Sequence, residues 1–167
     1  MGSVFNGLVC AVLLLSGSRL SAQAVTRISN TDITNALRQT DRNDSHGVAF
    51  RIAEDLGAQF ILNRRTGPSE IELHCLWDDL LVVRSGMGEL QHSNKLRGPS
   101  RFSAWEWRAT SLAKSRNVAL TAGDIVRIPA GEGHTIRPVG DAPLVYVIVK
   151  VKSKEDTPCA TLPGKGR

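Results

Sequence analysis

A histidine at the end of a glycine- and proline-containing segment is the first candidate for chemistry in this sequence. The segment covers residues 123–134 and reads GDIVRIPAGEGH, so that its last residue is His134. The opening Gly-Asp pair favours a tight turn into a strand, and the later Pro and Gly end that strand. Because side chains alternate along a strand, His134 shares a face with Ile136, and we predict that it points into the protein.

A second segment, residues 67–86, brings together the other groups that ligate metal ions or move protons. It reads GPSEIELHCLWDDLLVVRSG and contains Glu72, His74 and Asp79. Carboxylates and imidazoles are common ligands of divalent metals, and imidazole also exchanges protons near neutral pH. Glu72, His74 and Leu76 have the same strand parity, so all three could face inward.

The two segments resemble the two motifs of the cupin superfamily. The spacing of residues 123–134 is similar to the second cupin motif, although Pro138 stands where cupins often have Asn. Residues 67–86 resemble a degraded first motif, in which Asp79 replaces the usual Glu and is followed, six residues later, by Gly86. The resemblance covers roughly residues 58–151.

The resemblance implies a divalent metal site, because cupins usually hold a metal with three histidines and one carboxylate. The ligands it implies here are His74, Asp79 and His134, with Glu72 if His74 matches the second histidine of the motif. If His74 instead matches the first histidine, Leu76 occupies a ligand position. Such a set suits Fe(II), Mn(II) or Zn(II) with open coordination positions. In the alternative, His134 hydrogen-bonds in the core, Asp78 and Asp79 face solvent, and the barrel holds no cofactor.

The segment 104–108, which reads AWEWR, is a candidate ligand-binding strand. Alternation places Trp105 and Trp107 on one face and Glu106 and Arg108 on the other. The tryptophans either pack a core or interface, or they line the barrel mouth. In the second case they would stack a ring of the ligand while Arg108 holds an acidic group.

The remaining histidines and cysteines give weaker signals. His46 lies in a polar stretch and His92 falls at the end of a predicted hairpin, so both are predicted to be exposed. Cys75 has the opposite parity to His74, which argues against a thiolate ligand. Cys75 and Cys159 could pair in an exported chain, but no feature of the sequence fixes the geometry that a disulfide requires.

Short apolar stretches separated by Gly, Pro and Asp predict the elements that position these residues. A short helix capped by Thr31 or Asp32 is predicted to run to about Arg38. The last predicted strand is apolar on both faces and is therefore expected to run centrally. The predicted strands are residues 48–52, 59–63, 70–74, 80–84, 101–108, 118–120, 124–128, 135–139 and 144–151.

The composition suits one exported domain. The 167 residues are 41% hydrophobic and carry a net charge of +5, and the basic residues are not interleaved with aromatics, so nucleic acid is not an expected partner. The apolar run at residues 8–15, followed by Ala-Gln-Ala at 22–24, predicts a signal peptide cleaved after Ala24. We therefore expect a secreted or periplasmic protein with no membrane insertion after cleavage. The predicted divisions are a signal at 1–24, a helix and lead-in at 25–47, a barrel at 48–152 and a flexible tail at 153–167.

These observations predict an all-β fold, a single jelly-roll β-barrel with a short N-terminal helix. The predicted function is to bind a small polar ligand in the barrel, at a metal held by two histidines and a carboxylate. Isomerase, lyase and oxygenase chemistry all fit such a site, and the alternative is a metal-free binding or structural barrel. The cupin resemblance also implies a homodimer.

Overall fold

The computed structural model describes residues 26–40, 48–55 and 57–153. The predicted signal segment, His46 and the C-terminal residues 154–167 lie outside this part of the chain. One helix, α1, covers Asn30–Thr40. The strands of the described residues are β1 (Val48–Asp55), β2 (Ala58–Arg65), β3 (Ile71–His74), β4 (Trp77–Ser85), β5 (Met87–Ser93), β6 (Leu96–Arg97), β7 (Ser100–Ser103), β8 (Glu106–Ala109), β9 (Ser111–Leu112), β10 (Arg116–Thr121), β11 (Ile125–Ile128), β12 (Gly133–Pro138) and β13 (Leu144–Lys152).

Two antiparallel sheets face each other and form the predicted jelly roll. The five-stranded sheet has the order β1-β2-β13-β4-β11, and the six-stranded sheet has the order β10-β5-β12-β3-β8-β7. A short third sheet pairs β6 with β9. Strand β13 runs between β2 and β4, which confirms the central position predicted from its two apolar faces.

The alternation of side chains on β13 divides the apolar residues into two layers. Tyr146 and Ile148 face the six-stranded sheet and pack with residues such as Leu90 and Ile136. Val145 and Val147 face the other way, where the apolar side of α1 covers them. The inner layer is the core of the barrel, and the outer layer explains why the helix is present.

The helix begins two or three residues earlier than the predicted caps allow. The Ser29 hydroxyl accepts the backbone N–H of Asp32 at 3.1 Å, and the Asp32 carboxylate accepts the N–H of Ser29 at 2.7 Å. This reciprocal pair is a capping box, so the cap is Ser29 and the prediction of Thr31 or Asp32 was wrong.

One predicted strand was also wrong, and one strand of the structure was not predicted. The predicted strand 101–108 is a hairpin of β7 and β8, and its turn contains Trp105, whose backbone N–H donates to the Ser103 hydroxyl at 3.2 Å. Strand β5 was not predicted, because its sequence MGELQHS contains few residues that favour strands. His92 therefore lies within a strand and not at a hairpin end.

Asp78, the first of two neighbouring aspartates, holds the turn that precedes His134. Asp78 accepts the backbone N–H of Ala130 at 2.9 Å and the Nε of Arg127 at 2.9 Å. On the other side of the same turn, the N–H of Gly131 donates to the carbonyl of His74 at 2.7 Å. These bonds hold the segment that ends in His134 against the strand that carries His74.

Candidate metal centre

A row of polar side chains crosses the inner face of the six-stranded sheet. Directly opposite residues of antiparallel strands place their side chains on the same face. The register pairs Arg116 with His92, His92 with His134, His134 with Glu72, and Glu72 with Arg108. Since Ile136, two residues after His134, lies in the core between the sheets, this polar row faces the barrel interior. His134 therefore points into the barrel, as predicted from the sequence.

Glu72, His74 and His134 form the centre of the candidate site. Each offers a ligand atom, and these atoms all lie within 4.8 Å of one another. Nε2 of His74 lies 3.1 Å from Oε2 of Glu72, and the two imidazole rings are 5.5 Å apart between centroids. The structure places Glu72 beside His74, whereas Leu76 follows the end of β3.

Asp79 reaches the same point from the opposite sheet. Its carboxylate is 1% exposed, with Oδ2 3.5 Å from Nε2 of His74 and 3.7 Å from Nε2 of His134. The metal-free alternative expected Asp79 to face solvent, and that expectation was wrong. The Nζ of Lys150 donates to both of its oxygens, at 2.8 and 3.0 Å. Asp79 is therefore close to both candidate histidines but already forms an ion pair with Lys150.

Glu72, His74 and His134 fit a divalent metal by the chemistry and proximity of their donor atoms. Ligand atoms that share one ion, each about 2.0–2.2 Å from it, lie roughly 3.0–3.5 Å apart. The distances from His74 to the two carboxylates are in or near this range. Nε2 of His74 is buried and lies 3.1 Å from Glu72 and 3.5 Å from Asp79, but its ring geometry gives it no well-aligned hydrogen bond within the described residues. An ion between these groups would bind this nitrogen and the carboxylates together.

The electrostatics favour the ionised form of Glu72 and the neutral form of His134. Burial alone would raise the pKa of Glu72, but contact with His74 and the charge of Arg108 hold it well below its usual range. Burial lowers the pKa of His134 despite the opposing charge of Asp79. Glu72 is thus ionised and His134 neutral at neutral pH, as metal ligation requires.

A cavity of about 200 Å³ opens beside the candidate ligands. Its lining includes Asn63, Arg65, Tyr146 and Lys150, which all come from the five-stranded sheet. Nε of Arg65 donates to the Tyr146 hydroxyl at 3.4 Å. The cavity therefore places several hydrogen-bond donors opposite the Glu72–His74–His134 cluster.

The predicted aromatic wall is not present. Trp105 lies in the β7–β8 turn and is 53% exposed, so it does not share a strand face with Trp107. Trp107 packs against Leu73 and Cys75, on the side of the sheet opposite to His74. The alternation of Trp107 with Glu106 and Arg108 was predicted correctly, but it is the charged face that turns inward.

Arg108 lies at the site but already binds acidic side chains of the protein. Its Nη1 is 2.6 Å from Glu70 and 2.7 Å from Glu72, and its Nη2 is 2.7 Å from Glu106. Arg108 thus positions Glu72 and neutralises part of the local negative charge. An acidic ligand would have to compete with three carboxylates for it.

Sequence reasoning did not place Glu106 or Lys150 at the site. Glu106 is opposite His74 in the register, and its Oε2 lies 3.8 Å from Nδ1 of His74. Lys150 is the only charged residue within the apolar run 144–151 and has the same parity as Tyr146. A charge that interrupts a central strand on its inner face was the available signal.

Comparisons with known proteins show the class of fold but give no close relative. No family model matches the chain, and no curated protein matches it. Among solved structures, hydroquinone 1,2-dioxygenase in complex with Cd²⁺ and 4-hydroxybenzonitrile is 20% identical, with a TM-score of 0.53 over 78% of this chain and 82% of that chain. An uncharacterised protein with a double-stranded β-helix domain from Klebsiella pneumoniae is 17% identical, with a TM-score of 0.53 over 78% and 93%.

Oxalate decarboxylase is a further structural neighbour, at 18% identity and a TM-score of 0.51 over 72% of this chain. The match spans only 29% of that enzyme's length. Together these likenesses define a double-stranded β-helix barrel with its polar cluster between two sheets. The chain has the cupin fold, as the resemblance of its two motifs predicted.

Proposed function

We propose that this barrel binds a divalent metal ion through Glu72, His74 and His134. The observation that carries the proposal is the buried Nε2 of His74, which lies 3.1 and 3.5 Å from two carboxylates without a well-aligned hydrogen bond in the described part of the chain. Asp79 is the fourth candidate ligand, and its use requires Lys150 to release it. Two imidazoles with one or two carboxylates suit Fe(II), Mn(II) or Zn(II).

The proposed ligand is a small polar molecule that occupies the adjacent cavity. The volume of about 200 Å³ corresponds to roughly seven water molecules at about 30 Å³ each. Arg65, Tyr146 and Lys150 supply donors on the wall opposite His74. A metal ion in this site would polarise an oxygen of the ligand. The protein's own side chains would orient that oxygen and exclude bulk water.

Titration with Mn²⁺ and Zn²⁺ by calorimetry tests the metal proposal. Wild-type protein should bind about one equivalent, and Glu72→Gln and His74→Ala should weaken binding by more than about 100-fold, since even residues behind a ligand contribute 10–100-fold. Arg137→Gln is the matched surface control, because Arg137 lies on β12 but pairs with Glu89 on the outer face. Unchanged affinity in Glu72→Gln and His74→Ala would contradict the proposal.

A metal-free binding barrel is the second candidate function. It is favoured by the ion pairs that already neutralise both carboxylates, Asp79 with Lys150 and Glu72 with Arg108. On this proposal Lys150 takes the place of the metal cation, and a polar ligand binds directly to His74 and Arg65. Absence of Mn²⁺ and Zn²⁺ binding, in protein that keeps its wild-type unfolding temperature, would favour this candidate.

We further propose that the protein is exported. The apolar run at residues 8–15 and the Ala-Gln-Ala at 22–24 motivate the proposal. Cys75 is disulfide-bonded, which fits an oxidising compartment. No helix among the described residues is long and apolar enough to cross a bilayer. Sequencing of the mature N-terminus should give Val25, and a chain that keeps Met1 would refute export.

A further inference from the structure

A second cavity lies on the other side of His134 from Glu72. It has a volume of about 310 Å³, larger than the cavity beside the candidate metal ligands. Its walls come from the far end of both sheets, where Leu90 and Val118 face Val126 and Ile128. The metal-site proposal makes no use of this space.

One end of the second cavity is polar and belongs to the same polar row. Nδ1 of His92 lies 2.7 Å from Oε1 of Glu132, and both side chains are 21% exposed. Glu132 also accepts, through its backbone carbonyl, a hydrogen bond from Nδ1 of His134 at 3.2 Å. Glu132 therefore contacts both histidines, and His92 also lines the cavity.

Arg116 completes the polar end. It is directly opposite His92 in the register of β10 and β5, so its side chain lies on the same inner face, and it lines the cavity. Arg116 is exposed at the mouth, and no ion pair within residues 26–40, 48–55 and 57–153 includes it. The other arginine of the lining, Arg127, is held by Asp78. Arg116 is thus a guanidinium at the edge of a mostly apolar cavity; the carboxylate of that lining, Glu132, pairs with His92, and no ion pair to Arg116 is formed within the described residues.

We propose that this second cavity binds a small amphiphilic carboxylic acid. Its alkyl or aryl part lies against Leu90, Val118 and Val126, and its carboxylate binds the guanidinium of Arg116 beside His92. Apolar walls with a few convergent polar groups are the usual composition of a small-molecule site. A guanidinium matches a carboxylate in charge and in its two parallel donors. This inference does not depend on the metal proposal.

Octanoate is a suitable probe, and octan-1-ol is its uncharged counterpart of equal length. We expect saturable octanoate binding by calorimetry, and we expect Arg116→Gln to weaken it by about tenfold or more, because hydrogen bonds to charged groups contribute most of the head-group recognition. Octan-1-ol should bind more weakly than octanoate to the wild type and equally to both proteins. Val118→Phe, which fills the cavity, should weaken both ligands.

Two further variants locate the site. Arg137→Gln removes a guanidinium from the outer face of β12 and should bind octanoate like the wild type. Glu72→Gln, which disables the proposed metal centre, should also bind octanoate like the wild type. In the wild type, the ring resonances of His92 in NMR spectra should shift when octanoate binds. Equal octanoate affinity in Arg116→Gln and wild type would overturn the proposal. Loss of octanoate binding in Glu72→Gln alone would overturn it too, because the probe would then occupy the metal cavity.

Discussion

Replacing Lys150 by Met tests whether a cation must sit beside Asp79. The Asp79 carboxylate is 1% exposed, and the Lys150 ammonium, 13% exposed, contacts both of its oxygens. Removing one partner of a buried ion pair leaves an uncompensated buried charge, which costs about 3–5 kcal/mol. For a domain of this size each kcal/mol lowers the unfolding temperature by about 3 °C, so we expect a decrease of about 10–15 °C in metal-free protein.

A metal ion should reverse part of this loss. If Asp79 becomes a ligand once Lys150 is gone, added Mn²⁺ or Zn²⁺ supplies the missing positive charge. At 100 times the dissociation constant, binding to the folded state alone adds about 2.7 kcal/mol. Calorimetric or fluorescence-monitored unfolding, with and without metal, measures both effects. The metal should therefore raise the unfolding temperature of Lys150→Met more than that of the wild type.

Matched variants separate the ion pair from general effects of the substitution. Lys152→Met makes the same change two residues along β13 at an exposed position, and it should leave stability nearly unchanged. Asp79→Asn combined with Lys150→Met removes the buried charge and should recover much of the lost stability. The reasoning would be refuted if Lys150→Met unfolded at the wild-type temperature, or if metal protected both proteins equally.

Three further predictions concern the scaffold. Burial alone would raise the pKa of Asp78, but its hydrogen bonds hold the folded-state pKa below 3.8. The ionised carboxylate therefore stabilises the folded protein above pH 3.8, and this stabilisation is lost as the pH falls through the lower folded-state pKa. Asp78→Asn should therefore be less stable than wild type at pH 7, and urea unfolding curves of the two proteins should converge in strong acid; a difference independent of pH would contradict this. Gly86 has φ +80°, and an added Cβ there would meet the carbonyl of Pro143, whereas Gly123 has φ +97° and open space around it. Gly123→Ala should lower the free energy of unfolding by roughly 1–2 kcal/mol, and Gly86→Ala should lower it by clearly more. Ser29→Ala removes the cap of α1 and should destabilise the protein by about 1 kcal/mol in the same assay, and no change would argue against the capping box.

The apolar pattern predicted the fold well, because burial on one or two faces leaves a periodic signature in the sequence. Residues 144–151 are apolar on both faces, and β13 lies between two neighbours with core on each side. The predicted strand 101–108 failed for a local reason: a Ser103 hydroxyl closes a turn before Trp105, and alternation alone does not detect a turn of this kind. Strand β5 was not predicted because its pairing with β10 and β12, and not the strand propensity of its own residues, makes it a strand.

The candidate site was predictable only in part. The two motifs pointed to Glu72, His74, Asp79 and His134, and the structure brings all four together. The alternation of residues 106–108 was predicted correctly, but Trp105 lies in a turn, and parity alone did not decide between a packed Trp107 and an aromatic wall at the barrel mouth; the structure has Trp107 packed and the charged face inside. Lys150 was not predicted as the partner of Asp79, because the two residues are 71 positions apart and meet only through the pairing of β13 with β4.

Elemental analysis of the mature protein, purified without chelators or a histidine tag, tests the central claim most directly. The metal proposal predicts about one equivalent of iron, manganese or zinc in the wild type and in His92→Ala, and none in His134→Ala. His92 is a strict control, because it is the cross-strand neighbour of His134 and lies on the same inner face. Equal metal content in the two variants, or a wild-type protein that neither carries nor takes up a metal, would contradict the account.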